Sequence, residues 1–96
     1  MVVSGIGTAL PETRVLNKEF ESRFDTSDAW IVQRTGIRER RVGGVTADLA
    51  TDALAVALSD AGVRSDQIGA LIVATSTPSH QIPATAATIQ QRLGMT

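Results

Sequence analysis

The stretch TADLATDALAVALSDAGVRSDQIGALIVATS, residues 46–76, decides the fold. Ala50, Ala53, Leu54, Ala57, Leu58 and Ala61 recur at intervals of three and four, the period of one helix face. Thr46 can cap this helix and Gly62 can end it. Asp48, Asp52 and Asp60 fall on its wet side. The apolar stripe is mostly alanine, so the helix is expected to approach its neighbours closely. After the polar turn RSDQIG comes ALIVATS, a continuously apolar, β-branched run. Such a run suits a parallel strand covered on both faces better than a half-exposed one.

On either side the pattern repeats. MVVSGIGTAL at the start is β-branched, punctuated by glycine and closed by Pro11, which predicts a strand over Val2 to Ala9. Asn17 can cap a short helix, KEFESRF, ending near Phe24. Thr26 or Ser27 can cap a second one running to Thr35, with Gly36 as its left-handed stop. IRERRV reads as extended and GGV as a turn. Past the loop TPSHQIP, Pro83 introduces the helix ATAATIQQRL, stopped by Gly94. Strand, helix, strand, helix is an α/β pattern with a right-handed crossover. As read it leaves bare sheet edges, so the expectation is part of a larger domain.

The composition narrows the function classes. The 96 residues carry a net charge of −1, so no global field draws the chain to nucleic acid or to an anionic membrane. No apolar run approaches the roughly 18 residues that suggest a membrane-spanning helix. No basic stretch precedes an apolar one at the start, so a secretory signal is not expected. The absence of cysteine from this sequence excludes disulfides and thiolate metal sites within it and fits a cytoplasmic protein.

One stretch stands apart. DTSDAWIVQRTGIRERR, residues 25–41, holds the single tryptophan and four of the nine basic residues, Arg34, Arg38, Arg40 and Arg41. On a helix, residues four apart nearly overlay, so Thr26, Trp30 and Arg34 form one stripe with Gln33 beside it, while Ile31 and Val32 point away. Two readings follow. Trp30 can cover the margin of a core with Arg34 stacked on it, a cation–π pair worth about 0.5–2 kcal/mol. Alternatively the pair is a platform for a flat anionic ligand, with the indole under a base and the guanidinium on a phosphate. Spacing alone leaves both open. Arg38 and Arg40 face one way along the extended segment and Arg41 the other. They either hold the loop through acids such as Glu39 or extend a basic rim. Asp25 and Asp28 read as acids favoured at a helix start, and His80 as a structural or solvated loop residue.

The string T-S-D-x-W-I-x-x-R-T-G-I-R-E-R-R at Thr26 to Arg41 resembles the signature of β-ketoacyl-[acyl carrier protein] synthase III, the condensing enzyme that initiates bacterial fatty-acid synthesis. Weaker similarities fall in the family's order: G-x-G-x-x-L-P-E at Gly5 to Glu12, A-G-x-x-x-x-Q-I at Ala61 to Ile68, I-V-A-T-S-T at Ile72 to Thr77, H-x-x-P-A at His80 to Ala84 and I-Q-x-x-L-G at Ile89 to Gly94. The resemblance implies a thiolase-like α/β fold, five layers α-β-α-β-α built from two βαβαβ halves, in a cytoplasmic homodimer. Residues 1–96 would supply most of the first half, stopping before the catalytic cysteine. It also implies that Thr26, Trp30 and Arg34 line the mouth of the coenzyme A tunnel, and that Ile82 reaches the partner subunit's acyl pocket. A branched aliphatic at Ile82, where some relatives carry an aromatic, leaves the preferred primer open. The implied chemistry is ping-pong transfer from acyl-CoA to a cysteine and then to malonyl-acyl carrier protein, with coenzyme A entering as a substrate thioester and with no cofactor or metal. The catalytic cysteine, histidine and asparagine are all expected beyond residue 96. Competing readings are a related CoA-dependent acyltransferase of secondary metabolism (quinolone, polyketide starter or ester formation), a non-catalytic paralogue, and a small nucleic-acid-binding module, which the acidic balance disfavours.

Overall fold

A computed structural model describes residues 1–95 and divides them into two compact units, one formed by Leu10–Gly43 and the other by the remaining residues. Among these residues no helix is long and apolar enough to cross a membrane.

The unit Leu10–Gly43 is built on a two-stranded antiparallel ladder. Strand β1, Thr13–Leu16, pairs with β2, Glu39–Val42, in the register Thr13↔Val42, Arg14↔Arg41, Val15↔Arg40 and Leu16↔Glu39. The ladder sets Arg14 opposite Arg41, a like-charge pair that costs stability unless something neutralises it. Glu39 does so: its carboxylate accepts from the Arg14 guanidinium at 2.6 Å and lies 4.0 Å from Arg41 Nε. The Arg14 bond therefore holds the Glu39 carboxyl below the ordinary carboxylate range, against a smaller opposing effect of burial. Arg41 also donates to the Pro11 carbonyl at 3.0 Å. Of the two uses foreseen for the arginines after the helix, Arg41 thus takes the loop-holding one.

Between the strands lie a 3-10 turn, Asn17–Phe20, and helix α1, Asp28–Thr35. Asn17 does not cap a helix as its position suggested; it is the first residue of the 3-10 turn, its side chain makes no cap bond, and it is only 1% exposed. Helix α1 follows the expected limits. Ser27 is extended and its hydroxyl accepts from the Trp30 amide at 3.1 Å, while Gly36 closes the helix at φ 73°. Thr35 adds a second closure: its hydroxyl donates to the Ile31 carbonyl and accepts from the Ile37 amide.

The other unit, residues 1–9 and 44–95, centres on helix α2, Thr46–Ala61, and helix α3, Thr85–Arg92. These two pack together, with Ala47 and Ile89 each 1% exposed at the centre and Asp48 ion-paired to Arg92. The alanine-lined stripe of α2 is half-buried, and Asp48, Asp52 and Asp60 are exposed as their spacing required. Gly62 ends α2 at φ 68°. Thr46 is inside the helix rather than its cap; its hydroxyl donates to the Thr77 carbonyl. The free amide at the helix start, Ala47 N–H, instead donates to the Ser79 hydroxyl at 3.0 Å, a cap supplied from a distant loop.

Close approach to α2 occurs where expected. A Cβ added to Gly5 would lie 2.6 Å from the Ala57 carbonyl oxygen, and one on Gly7 would lie 2.1 Å from that of Ala53. The Ile6 amide between them donates to the Asp60 carboxylate at 3.0 Å. The predicted strands over 2–9 and 70–76 are not laddered: neither segment belongs to a sheet among the described residues. Their burial still alternates with the period of an extended chain, Gly5, Gly7 and Ala9 inward and Ile6 and Thr8 outward, then Leu71 and Val73 inward and Ala70, Ile72 and Ala74 outward. Composition set the extended course, but a strand also requires a hydrogen-bonded neighbour. The outward faces are bare, with Ile72 90% exposed.

Candidate functional site

The site is assembled on α1. That helix has only eight residues, too few to be stable in isolation, so its end bonds matter. Ile31 and Val32 turn inward and are half-buried, whereas Trp30, Gln33 and Arg34 are exposed. Trp30 keeps 52% of its surface accessible, and the Arg34 guanidinium sits 5.2 Å from the centre of its ring. An exposed cation–π contact of this kind is worth about 0.5–1 kcal/mol. That is weak enough for the arginine to be exchanged for an anionic partner that offers two oxygens to its fork of donors.

The predicted stripe of three is reduced to two. Thr26 precedes the Ser27 cap and so lies off the helix, leaving Trp30 and Arg34 as the pair at helical spacing. Thr26 is half-buried, and its hydroxyl is shut from solvent without a hydrogen-bond partner. An unpaired buried hydroxyl costs about 1–3 kcal/mol.

The remaining arginines divide. Arg38 lines a cleft with Leu16, Asn17, Lys18, Glu21 and Asp28. Arg40 turns inward: its guanidinium lies 4.5 Å from the centre of the Phe20 ring and donates to Asn17 Oδ1. Sequence reasoning missed the residue that organises this neighbourhood. Asn17 accepts from Arg40 through its oxygen, while its amide nitrogen donates to Asp28 Oδ1 at 2.9 Å and to the Ile37 carbonyl at 2.7 Å. The amide is oriented by charge, carbonyl toward the cation and NH2 toward the carboxylate. The available signal was an asparagine among acids and arginines, which carries no address for its partners.

In the other unit, Ile82 is 91% exposed on the loop before α3. His80 lines a separate depression with Val73, Thr75, Pro78, Gln81 and the start of α3. Among the described residues no cluster of histidine, cysteine, aspartate or glutamate is arranged to hold a metal ion.

No protein-family model matches the sequence. Curated proteins and solved structures do. Over 97 residues, 98% of this chain, it is 56% identical to the β-ketoacyl-[acyl-carrier-protein] synthase III of Sinorhizobium medicae strain WSM419. The likeness is to one segment of that synthase. The chain spans 30% of the length of that relative. Its backbone superposes on the 3-oxoacyl-[acyl-carrier-protein] synthase III of Aquifex aeolicus VF5 with a TM-score of 0.88 and 38% identity, covering 95% of this chain and 30% of the other. It also superposes on the priming β-ketosynthase of the R1128 polyketide biosynthetic pathway, with a TM-score of 0.87 and 34% identity over 96% of this chain and 28% of the other. The unladdered segments 2–9 and 70–76 thus belong to a mixed α/β backbone shared with these two solved structures.

Proposed function

We propose that the protein carrying this chain is a β-ketoacyl-acyl carrier protein synthase III that condenses acyl-CoA with malonyl-acyl carrier protein. The observation that carries the reading is the half-exposed indole of Trp30 with Arg34 beside it, on a chain 56% identical to a synthase of that name. Residues 1–96 form most of the first βαβαβ half of a five-layer thiolase-like subunit, and the bare apolar runs are strands of its sheet. The subunit works as a cytoplasmic homodimer, in which Ile82 reaches the acyl pocket of the second subunit.

The task of this chain is recognition. Trp30 stacks on the adenine of coenzyme A, an interaction of about 1–3 kcal/mol. Arg34 leaves the ring face for a phosphate, while Thr26, its hydroxyl shut from solvent, borders the tunnel mouth without offering that hydroxyl to the ligand. This grip directs the thioester toward a cysteine elsewhere in the subunit. There the thiolate attacks the acyl carbonyl and coenzyme A leaves as its own thiolate. Decarboxylation of the carrier-bound malonyl group then supplies the carbanion that takes the acyl group and releases the cysteine. Neither step uses a group of residues 1–96.

A second reading has specific support: the likeness to a priming β-ketosynthase of polyketide synthesis is nearly as close in fold as that to the fatty-acid enzymes. The same CoA grip then serves a different acceptor. Purified full-length protein, given one acyl-CoA and either malonyl-acyl carrier protein or alternative acceptors, distinguishes the two. Release of CO2 and formation of a β-ketoacyl carrier protein is the expected result. Acyl transfer to another acceptor with no condensation on malonyl-acyl carrier protein refutes the main reading.

A further inference from the structure

We infer that Asn17 is a positioning residue for the coenzyme A platform, a clamp that fixes α1 by both ends; this rests on the reading of Trp30 and Arg34 given above. Its side-chain hydrogen bonds go to Asp28, Ile37 and Arg40 rather than to either of those residues. One amide nitrogen donates to Asp28, the first residue of α1, and to the carbonyl of Ile37, just past the glycine that ends it. A single buried group therefore spans the helix that carries the indole and the guanidinium. Its oxygen is held from the other side by Arg40, itself fixed by the Phe20 ring and the Val15 carbonyl of β1. The backbone adds a parallel tie, the Asn17 amide donating to the Arg38 carbonyl at 3.3 Å.

The arrangement suits a helix that must be stiff yet exposed. With eight residues, α1 lacks the length for autonomous order. Its outer face is reserved for ligand, so it cannot be stabilised by burial there. Beyond the half-burial of Ile31 and Val32, order must come from the ends, and the polar triad Arg40–Asn17–Asp28 supplies it inside a unit whose ladder is only four residues per strand. Misplacing a ligand-holding group by an ångström from a remote site costs up to about 100-fold in rate. The clamp thus acts on affinity through geometry.

Asn17→Asp separates this role from simple core filling. The aspartate keeps the shape and the Arg40 bond but turns both donated bonds into oxygen–oxygen repulsion. In the full-length enzyme it is expected to raise the KM for acyl-CoA about tenfold, leave kcat within about twofold, and speed amide exchange across 28–37 while 46–61 keep their protection. Adding Asp28→Asn restores one of the bonds in reverse, so the double variant is expected to recover part of the KM. Trp30→Ala is run beside them. If it raises KM while Asn17→Asp leaves KM and the 28–37 exchange unchanged, the clamp is refuted and the platform stands. If Trp30→Ala leaves KM unchanged, the platform itself fails and the clamp has no substrate to position. Equal loss of protection across both segments shows a general folding role and also overturns the proposal.

Discussion

Glycines placed at three kinds of position make the packing of α2 testable. At Gly7 an added methyl meets the Ala53 carbonyl oxygen at 2.1 Å and the Ala57 amide nitrogen at 2.4 Å, where ordinary contact begins near 3.4 Å. Both obstacles are helix backbone and cannot rotate aside, so the segment must withdraw by more than about an ångström. Overpacking of that kind costs roughly 1–3 kcal/mol. Withdrawal also strains the Ile6 amide bond to the Asp60 carboxylate, a charge-assisted bond worth roughly 1.5–3 kcal/mol if lost. Gly7→Ala is therefore expected to destabilise by about 3 kcal/mol. Gly62→Ala meets no atom within 4 Å but must hold φ at +68°, a left-handed conformation costing about 1–2 kcal/mol. Gly69→Ala meets neither obstacle and is expected to stabilise by about 0.4–1 kcal/mol through the unfolded chain. Urea unfolding midpoints of the full-length protein and its three variants check the order Gly7, Gly62, Gly69. A Gly7→Ala loss no greater than that of Gly62→Ala refutes the close approach of the amino-terminal segment to α2.

Three other outcomes are expected. Trp30→Ala weakens coenzyme A binding by about 1–3 kcal/mol, read by calorimetric titration, with the thermal midpoint nearly unchanged because the ring is half exposed; a large loss of stability at unchanged affinity assigns the indole to the core. Ser79→Ala removes the acceptor for the Ala47 amide and destabilises by about 0.5–2 kcal/mol, the range for a lost helix cap, measured by urea unfolding. Glu39 has its carboxyl held low by Arg14, so its stabilising contribution is present above the unfolded carboxylate pKa and is lost as pH falls through the lower folded value. Accordingly Glu39→Gln is less stable than the parent near neutral pH, and the difference closes as the medium is acidified through the carboxylate range; a constant gap across that range contradicts the assignment.

What could be read in advance follows from how far each signal reaches along the chain. The alanine stripe of α2, its acidic face, and the glycine stops at Gly36 and Gly62 depend on residues within one or two turns, and they stand where the spacing put them. Errors arise where a partner lies far off. Thr46 had the right chemistry for a cap, yet Ser79, more than thirty positions later, takes the bond. Asn17 likewise has the chemistry of a cap for the nearest helix start, while its partners are 11, 20 and 23 residues away. Strand β1 carries no local signal because TRVL is short and lies just past Pro11, and its pairing with ERRV depends on the intervening residues folding back.

The platform belongs to both groups at once, and this explains how its reading is divided. That Trp30 and Arg34 share a helix edge is local and was visible in a spacing of four. That the edge faces outward is not local: it requires Ile31 and Val32 to find cover, Ser27 to start the helix one residue after Thr26, and the ends to be tied by a buried asparagine. An exposed aromatic on a short helix would otherwise trade its fixed position for rotational and backbone freedom worth about 1–2 kcal/mol per residue, comparable to the stacking it can gain from a base. On the proposed reading, the grip on a nucleotide therefore depends on the residues that order the helix as well as on Trp30 and Arg34. Substitutions at Asn17, Asp28 and Arg40 should consequently rank with those at Arg34 in their effect on coenzyme A affinity, although none of the three supplies the indole or the guanidinium of the platform.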